Sequence, residues 1–300
     1  MDISIVIVSY NVREYIISCI ESIYKHSKSN ISFELIIVDN DSKDGTVNTL
    51  KNKFPKINII SNKYNAGFSI AANQGAQKCS GKYLLILNPD TLFVEDSLKK
   101  LFTSAESCYQ LGAIGPTLIT MNGDQQQSFW RKPNLLSTLR SLFYLDWLNT
   151  KKNYHYSKPI DKFEVETISG AAFLTPRKVF KKMSGLNEDL FWMEDIDYCC
   201  RLLKFKYSVF FLPSTKIIHH VGKSSEKNYR IAISNQLISK IKFFKIHHKK
   251  PEVYVVFLSV LILSIVKFLM LLVISPLSNT FKNKAFAYAF TILSIFKKHN

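Results

Sequence analysis

Acidic residues almost vanish from the last third of this chain. Residues 204–300 carry 2 Asp/Glu against 16 Lys/Arg, whereas residues 1–203 carry 21 against 24. The net charge of +17 therefore belongs to the back of the chain, where basic residues are mixed with apolar ones. That mixture suits an anionic lipid surface better than nucleic acid, so the expected partner is a membrane surface and no nucleic acid is expected. Cysteine is scarce as well: Cys19, Cys79, Cys108, Cys199 and Cys200 make an odd set, and no spacing among them resembles a zinc or redox motif. Reduced thiols in a cytosolic compartment are the simplest account. No signal peptide is expected, because Asp2 follows Met1 and the apolar run 3–8 is short and lacks a basic start. The folded part is therefore expected not to be exported. No long stretch has the charge-rich, aromatic-poor composition of disorder. With 47% hydrophobic residues in 300, the chain can hold one large α/β domain or two smaller ones.

What is present is an alternation of apolar runs and helical patterns. Residues 3–8 form a nearly continuous β-branched run, which reads as a strand buried on both faces. Residues 12–26 follow with Ile16, Ile17, Ile20 and Ile23 at helical spacing. Further strands are expected at 33–38, 57–61 and 83–87, with helices ending near Lys53 and spanning 69–78; Asp44 or Thr46 is the expected cap of the former. Such alternation gives an open, mostly parallel sheet covered by helices. Residues 120–165, with Trp130, Arg131 and Trp147, have weak periodicity and read as a loop or helical insertion. Beyond them a strand is expected over 165–174, short helices over 176–183 and 196–204, and a strand over 207–212.

Ligands of such sheets bind beyond the carboxyl ends of the strands. The residues that follow the four strands are Ser9-Tyr10-Asn11, Asp39-Asn40-Asp41, residues 62–67 and Asn88-Pro89-Asp90. They should converge on one edge. Asp39 and Asp41 can accept hydrogen bonds from a base or a ribose, or can simply shape a turn. Asp90 can bind Mg²⁺ or Mn²⁺, or can end a strand in a Pro-Asp turn. Glu194, Asp195 and Asp197 can favour a helix N-terminus, or can supply a base with a tuned pKa beside bulky apolar neighbours. His219 and His220 close an apolar run, and a neutral imidazole there can join Asp90 on a metal, or the pair can be a surface feature.

Taken in order, these motifs resemble the family 2 inverting glycosyltransferases of GT-A (Rossmann-like) fold, rhamnosyltransferase-like members in particular. The carrying segments are 4–11, 38–46, Asn65-Ala66-Gly67-Phe68 with 72–75, 87–91, 169–173, Glu194-Asp195-Ile196-Asp197 with Arg201, and 219–224. The resemblance implies transfer of a sugar from a nucleotide-diphosphate sugar donor. Tyr10, Asn11, Asp39 and Asp41 would line the nucleotide pocket, Asn65 and Gly67 would lie near the nucleotide or diphosphate, and Asn88 and Asp90 would face the donor. Asp90 would hold a divalent metal, Mg²⁺ or Mn²⁺, with His219 (His220 as the alternative) reaching it from the other side. Asp195 would be the catalytic base, supported by Glu194 and Asp197. One departure is Asn88, which stands where the family's metal motif usually begins with Asp.

The expected organisation is a GT-A domain over 1–230, with a nucleotide-binding half (1–100) and an acceptor half (101–230), then a basic, apolar, helical tail over 231–300. Within the tail, residues 253–275 are apolar except for Ser259, Ser264, Lys267 and Ser275. As a helix this run spans about 34 Å, enough to cross a bilayer. Lys267 opposes a clean crossing, since a central Lys costs roughly 2.5–3.5 kcal/mol. A second apolar run, 285–296, is too short to span. The resemblance also implies a lipid-linked saccharide acceptor, surface-polysaccharide assembly and a place on the cytoplasmic face of the membrane. A sugar nucleotidyltransferase is the rival enzyme, although Tyr10-Asn11-Val12-Arg13 lacks the glycines of a triphosphate loop. A carbohydrate- or nucleic-acid-binding membrane protein is the non-enzymatic rival.

Overall fold

The computed structural model describes residues 1–145, 161–220, 229–274 and 278–297. Trp147, Ser275 and residues 221–224, singled out above, lie outside them. The first stretch runs β1 (Ile3–Ser9), α1 (Arg13–His26), β2 (Phe33–Asp39), α2 (Thr46–Lys53), β3 (Asn58–Ser61), α3 (Phe68–Gln77) and β4 (Tyr83–Leu87). It continues through β5 (Thr91–Phe93), α4 (Ser97–Glu106), β6 (Leu111–Ile119), β7 (Phe129–Trp130), α5 (Leu135–Leu142), β8 (Phe163–Glu164), β9 (Thr167–Ile168) and β10 (Ala172–Pro176). The remaining elements are α6 (Arg177–Lys182), α7 (Glu194–Lys204), β11 (Ser208–His219), α8 (Tyr229–His247), α9 (Lys250–Ile274) and α10 (Asn279–Phe296).

Among the described residues the chain forms two compact units. The first comprises 1–132, 161–188 and 194–220, and it holds an open sheet of order β3-β2-β1-β4-β10-β6-β11-β5, with β8 on β11. The strands β3, β2, β1 and β4 are all parallel. Every residue of β1 is buried, as the unbroken apolar run requires. Ile3, Ile5 and Ile7 share one core with Ile16, Ile20 and Ile23 of α1 and Leu98 and Leu101 of α4. Each such side chain contributes about 1.5–3 kcal/mol on burial. The opposite face takes α3 so closely that a Cβ on Gly75 would stand 2.5 Å from Cγ1 of Val6.

Beyond β4 the sheet turns mixed, because β10 runs antiparallel to both β4 and β6, and β5 antiparallel to β11. The strand expected over 165–174 is two pieces: β9 pairs with β7 outside the main sheet, and β10 enters it. Residues between them are needed elsewhere, with Ser169 N–H donating to Ser128 O at 2.9 Å. The last strand runs to His219 rather than stopping at 212. It passes Pro213 through a register shift between Leu212 and Lys216, the kind of bulge that tolerates proline inside a sheet. The helix at 46 begins after Gly45, and Asp44 Oδ1 accepts from both N–H and hydroxyl of Thr46 (3.1 and 2.5 Å).

The second unit comprises 133–145, 189–193, 229–274 and 278–297, so it contains α5, α8, α9 and α10. Leu237, Ile241, Phe243 and Phe244 of α8, Val256, Val260 and Leu263 of α9, and Ala285, Ala287 and Tyr288 of α10 are its buried apolar residues. Lys267, the one charge in the long apolar run, is half-buried with its ammonium 4.9 Å from the centroid of the Tyr144 ring. Such a cation–π contact offsets part of the cost of a cation on an apolar helix. His248 sits between Glu252 (3.3 Å) and Pro133 O (3.2 Å) at the start of α9. Opposite the buried stripe, α9 exposes Tyr254, Leu258, Ile262, Val266, Leu269 and Val273 along its length. By length and composition α9 is the one described helix able to cross a membrane.

Candidate active site

The parallel register fixes where the polar loops emerge. Ser9 pairs with Asp39 and Asp39 with Ser61, while Ile7 pairs with Leu87. The segments after β1, β2, β3 and β4 therefore leave the sheet at one end.

The first two loops are stitched together. Asn11, at φ +54°, accepts from Lys43 N–H at 2.7 Å, and its own N–H donates to Ser42 Oγ at 2.9 Å. Arg13 N–H donates to Asp44 Oδ2 at 3.0 Å. Asp41, also left-handed (φ +65°), pairs with Lys43 at 2.5 Å. Asp39 is buried; Oδ2 accepts from Ser42 N–H at 2.9 Å and Oδ1 has no partner. Tyr10 stands exposed beside them. Asn65 is exposed and closes a turn by accepting from Gly67 N–H at 3.0 Å, with Gly67 at φ +88° just before α3.

Two residues to which the sequence pattern assigns no role hold this edge. Buried Asn40 donates to Gly67 O (3.2 Å) and accepts from Asn62 Nδ2 (2.8 Å), and Asn62 also donates to Gln74 (2.9 Å). Asn40 lies inside the Asp39-Asn40-Asp41 triplet, so its position was visible although its task was not.

At the end of β4, Asn88 N–H donates to Ala171 O at 2.8 Å, and Asn88 O accepts from Thr91 Oγ1 at 2.8 Å. Asp90 is buried, which pushes its carboxyl up to about 6. Among the described residues its Oδ1 has no hydrogen-bond partner, and it faces His219 Nε2 at 3.6 Å. The contact arises because β5 and the end of β11 pair with His219 opposite Thr91, while His220 N–H donates to Asp90 O at 2.9 Å. Burial pushes His219 down to about 4, with His220 adding to the effect. The His220 ring points elsewhere, edge-on to Tyr15 at 5.6 Å.

A divalent cation suits this pair. A buried carboxyl oxygen without a donor among the described residues and a neutral imidazole facing it are one oxygen and one nitrogen ligand. Among the described residues no group of three or more His, Cys, Asp and Glu side chains is placed to hold a metal. Mg²⁺-type sites commonly use one or two protein ligands and take the rest from substrate phosphates and water.

The acids at 194–197 divide by environment. Asp197 is fully buried and bound to Arg201 at 2.8 Å. Arg201 also donates to Gly185 O at 2.8 Å and to Met183 O, so this pair fastens the loop before α7. Asn73 of α3 grips the same loop, accepting from Leu186 N–H and donating to Leu186 O and Glu188, each at 2.9 Å. Asp195 is half-buried; Oδ2 accepts from Gly170 N–H at 2.7 Å and Oδ1 from Ile196 N–H at 2.8 Å. A Cβ on Gly170 would come within 3.1 Å of that carboxyl, a tight contact that would make the Asp195 side chain give way by a few tenths of an ångström. Burial pushes Asp195 up, and pushes Glu194 up to about 8 with Asp195 as the second cause. Glu194 Oε2 has no partner. Asp195, with two N–H donors, is therefore the better placed of the two to ionise first.

Asp195 and Asp90 meet the same seam. Asp195 binds Gly170 N–H, and the adjacent Ala171 O receives Asn88 N–H, two residues before Asp90. Buried side-chain oxygens without a partner among the described residues also gather at this end of the sheet: Ser9 Oγ, Asp39 Oδ1, Asp90 Oδ1 and Glu194 Oε2. Each costs about 1–3 kcal/mol when left unpaired, which a polar ligand would relieve.

The family model for glycosyl transferase family 2 matches residues 4–184. An N-acetylglucosaminyl-diphospho-decaprenol L-rhamnosyltransferase of Mycobacterium tuberculosis is 23% identical over 211 residues, covering 65% of this chain and 68% of that protein. A UDP-Glc:alpha-D-GlcNAc-diphosphoundecaprenol beta-1,3-glucosyltransferase of Escherichia coli is 30% identical over 98 residues, or 32% of this chain and 38% of its own. A mannosyltransferase of Pyrobaculum calidifontis, solved with GDP-Man and Mn²⁺, shares the fold with a TM-score of 0.57 at 14% identity, covering 98% of this chain and 88% of its own.

Proposed function

This chain belongs to the family 2 glycosyl transferases, and on that footing we propose that it moves a sugar, with inversion, from a nucleotide-diphosphate sugar to the hydroxyl of a lipid-linked saccharide. The observation that carries this reading is the set of side-chain carboxyl oxygens of Asp39, Asp90 and Glu194 that have no hydrogen-bond partner among the described residues, at the loop-bearing end of the sheet beside Asp195. Family membership sets aside the nucleotidyltransferase and the non-enzymatic binding module.

The reaction is a single displacement. Asp195 takes the acceptor hydroxyl proton as that oxygen attacks the anomeric carbon, and the bond to the nucleoside diphosphate breaks on the opposite side. Inversion needs no covalent intermediate, so one base suffices, like the carboxylate that activates the incoming oxygen in inverting glycoside hydrolysis. The N–H groups of Gly170 and Ile196 hold the Asp195 carboxylate in place for that transfer. Tyr10, Asn11, Asp39 and Asp41 are assigned to the nucleotide, Asn65 and Gly67 to its diphosphate side, and Asn88 to the donor beside Asp90. Asp90 and His219 would hold Mg²⁺ or Mn²⁺, which when bound balances charge on the departing diphosphate as a Lewis acid. The Mn²⁺ and GDP-Man of the Pyrobaculum structure support a divalent metal beside a nucleotide sugar in this fold.

The diphosphodecaprenol and diphosphoundecaprenol in the relatives' names support a lipid-linked acceptor and surface-polysaccharide assembly. The exposed apolar face of α9 and the run of Lys245, Lys249 and Lys250 at its start fit an anionic membrane. We place the catalytic unit on the cytoplasmic side, consistent with five free cysteines. The deciding experiment is a panel of nucleotide sugars with a polyprenyl-diphosphate saccharide, with and without Mn²⁺ or Mg²⁺. Nucleoside diphosphate release and an inverted anomeric configuration by NMR are expected; retained configuration, or pyrophosphate as product, would sink the reading.

A further inference from the structure

Gln126 stands in the stretch where the sequence has the weakest periodicity, yet its surroundings are closely determined. After β6 the chain turns through Thr120–Asp124, with Thr120 N–H donating to Asp124 O at 2.8 Å and Gly123 N–H to Thr120 O at 3.0 Å. Gln126 is then fixed on both sides of its backbone. Its N–H donates to Leu118 O at 2.8 Å, and its carbonyl accepts from Ser128 Oγ at 3.0 Å, while that hydroxyl accepts from Leu118 N–H at 2.9 Å.

Among the described residues the side chain makes two hydrogen-bond contacts, both to one residue. Nε2 donates to His219 O at 2.7 Å, and Oε1 lies 3.2 Å from His219 Nδ1. The first contact fixes which end of the amide is the oxygen, since a carbonyl accepts only from the NH₂. The second then requires the imidazole to carry its hydrogen on Nδ1. Neutral His219 is left with a bare lone pair on Nε2, and that atom faces Asp90 Oδ1. A histidine that ligates through one nitrogen is held in the right tautomer by what the other nitrogen donates to.

We infer that Gln126 is a positioning residue: it locks His219 as the Nδ1–H tautomer and so prepares the Asp90–His219 pair for a divalent cation. The second half of this inference rests on the metal role given to that pair above; the first half does not.

The test uses the full-length protein labelled with ¹⁵N in its histidine rings, without added metal, with His219 identified by the resonance lost in His219→Gln. The wild-type protein should show the Nδ1–H tautomer, and Gln126→Met should show it diminished. Mn²⁺ binding with nucleoside diphosphate, followed by the free-Mn²⁺ EPR signal, should weaken about 10- to 100-fold in Gln126→Met. An Nε2–H tautomer in the wild-type protein would overturn the inference, whether or not the variant folds. Unchanged Mn²⁺ binding in a folded Gln126→Met would overturn it too. Wild-type protein that binds no Mn²⁺ refutes the metal role instead, and the tautomer still decides whether Gln126 governs the ring.

Discussion

Asp90 Oδ1 and His219 Nε2 stand 3.6 Å apart, and among the described residues the Asp90 oxygen has no hydrogen-bond donor. The two residues are 129 positions apart in sequence and meet only because β5 pairs with the end of β11.

Asp90→Ala should abolish the metal-dependent part of nucleoside diphosphate binding. Titration calorimetry with and without Mn²⁺ reads this directly. Equal affinity in the two conditions for the wild-type protein, or no change in the variant, would remove Asp90 from the cation site.

Asp195→Asn should cut turnover at least about a hundredfold, the lower end of what a positioned general base contributes. Donor binding should persist, because the base faces the acceptor. Near-normal turnover in the variant excludes Asp195 as the base.

Glu194 couples stability to pH. Its folded carboxyl is pushed up to about 8, above the ordinary glutamate value, so the folded protein holds a proton that the unfolded chain releases earlier. Stability from this group is full below about pH 4 and is lost as pH rises toward 8. Glu194→Gln should therefore gain stability relative to wild type progressively between those limits, as read by denaturant melts at several pH values. A constant difference across that range contradicts the assignment.

Leu258→Glu, Ile262→Glu and Leu269→Glu together should weaken co-flotation with anionic vesicles, because all three project from the open face of α9. Turnover on a water-soluble acceptor analogue should stay unchanged. Flotation equal to wild type argues against α9 as the membrane contact.

The front of the fold was legible because its physics is local. The β-branched run at 3–8 and the small-residue helix before β4 announce parallel strands and their helices. The convergence of the loops after β1 to β4 on one end of the sheet was legible from the parallel order alone. What escaped were long-range arrangements. The bulge at Pro213 let β11 run on to the site, and the break at 169–171 gave Asp195 the N–H of Gly170. Asn40, Asn73 and Gln126 act by bridging segments remote in sequence, and a lone amide, whether in a loop or on a helix, carries no periodic signal.

The grip of Asn73 on residues 186–188 has a bearing on engineering. Anyone building chimeras by grafting the first hundred residues of one relative onto the remainder of another would cut between the two partners of that clasp. Exchange of donor preference by such grafts should succeed only when the asparagine and the loop it holds travel together.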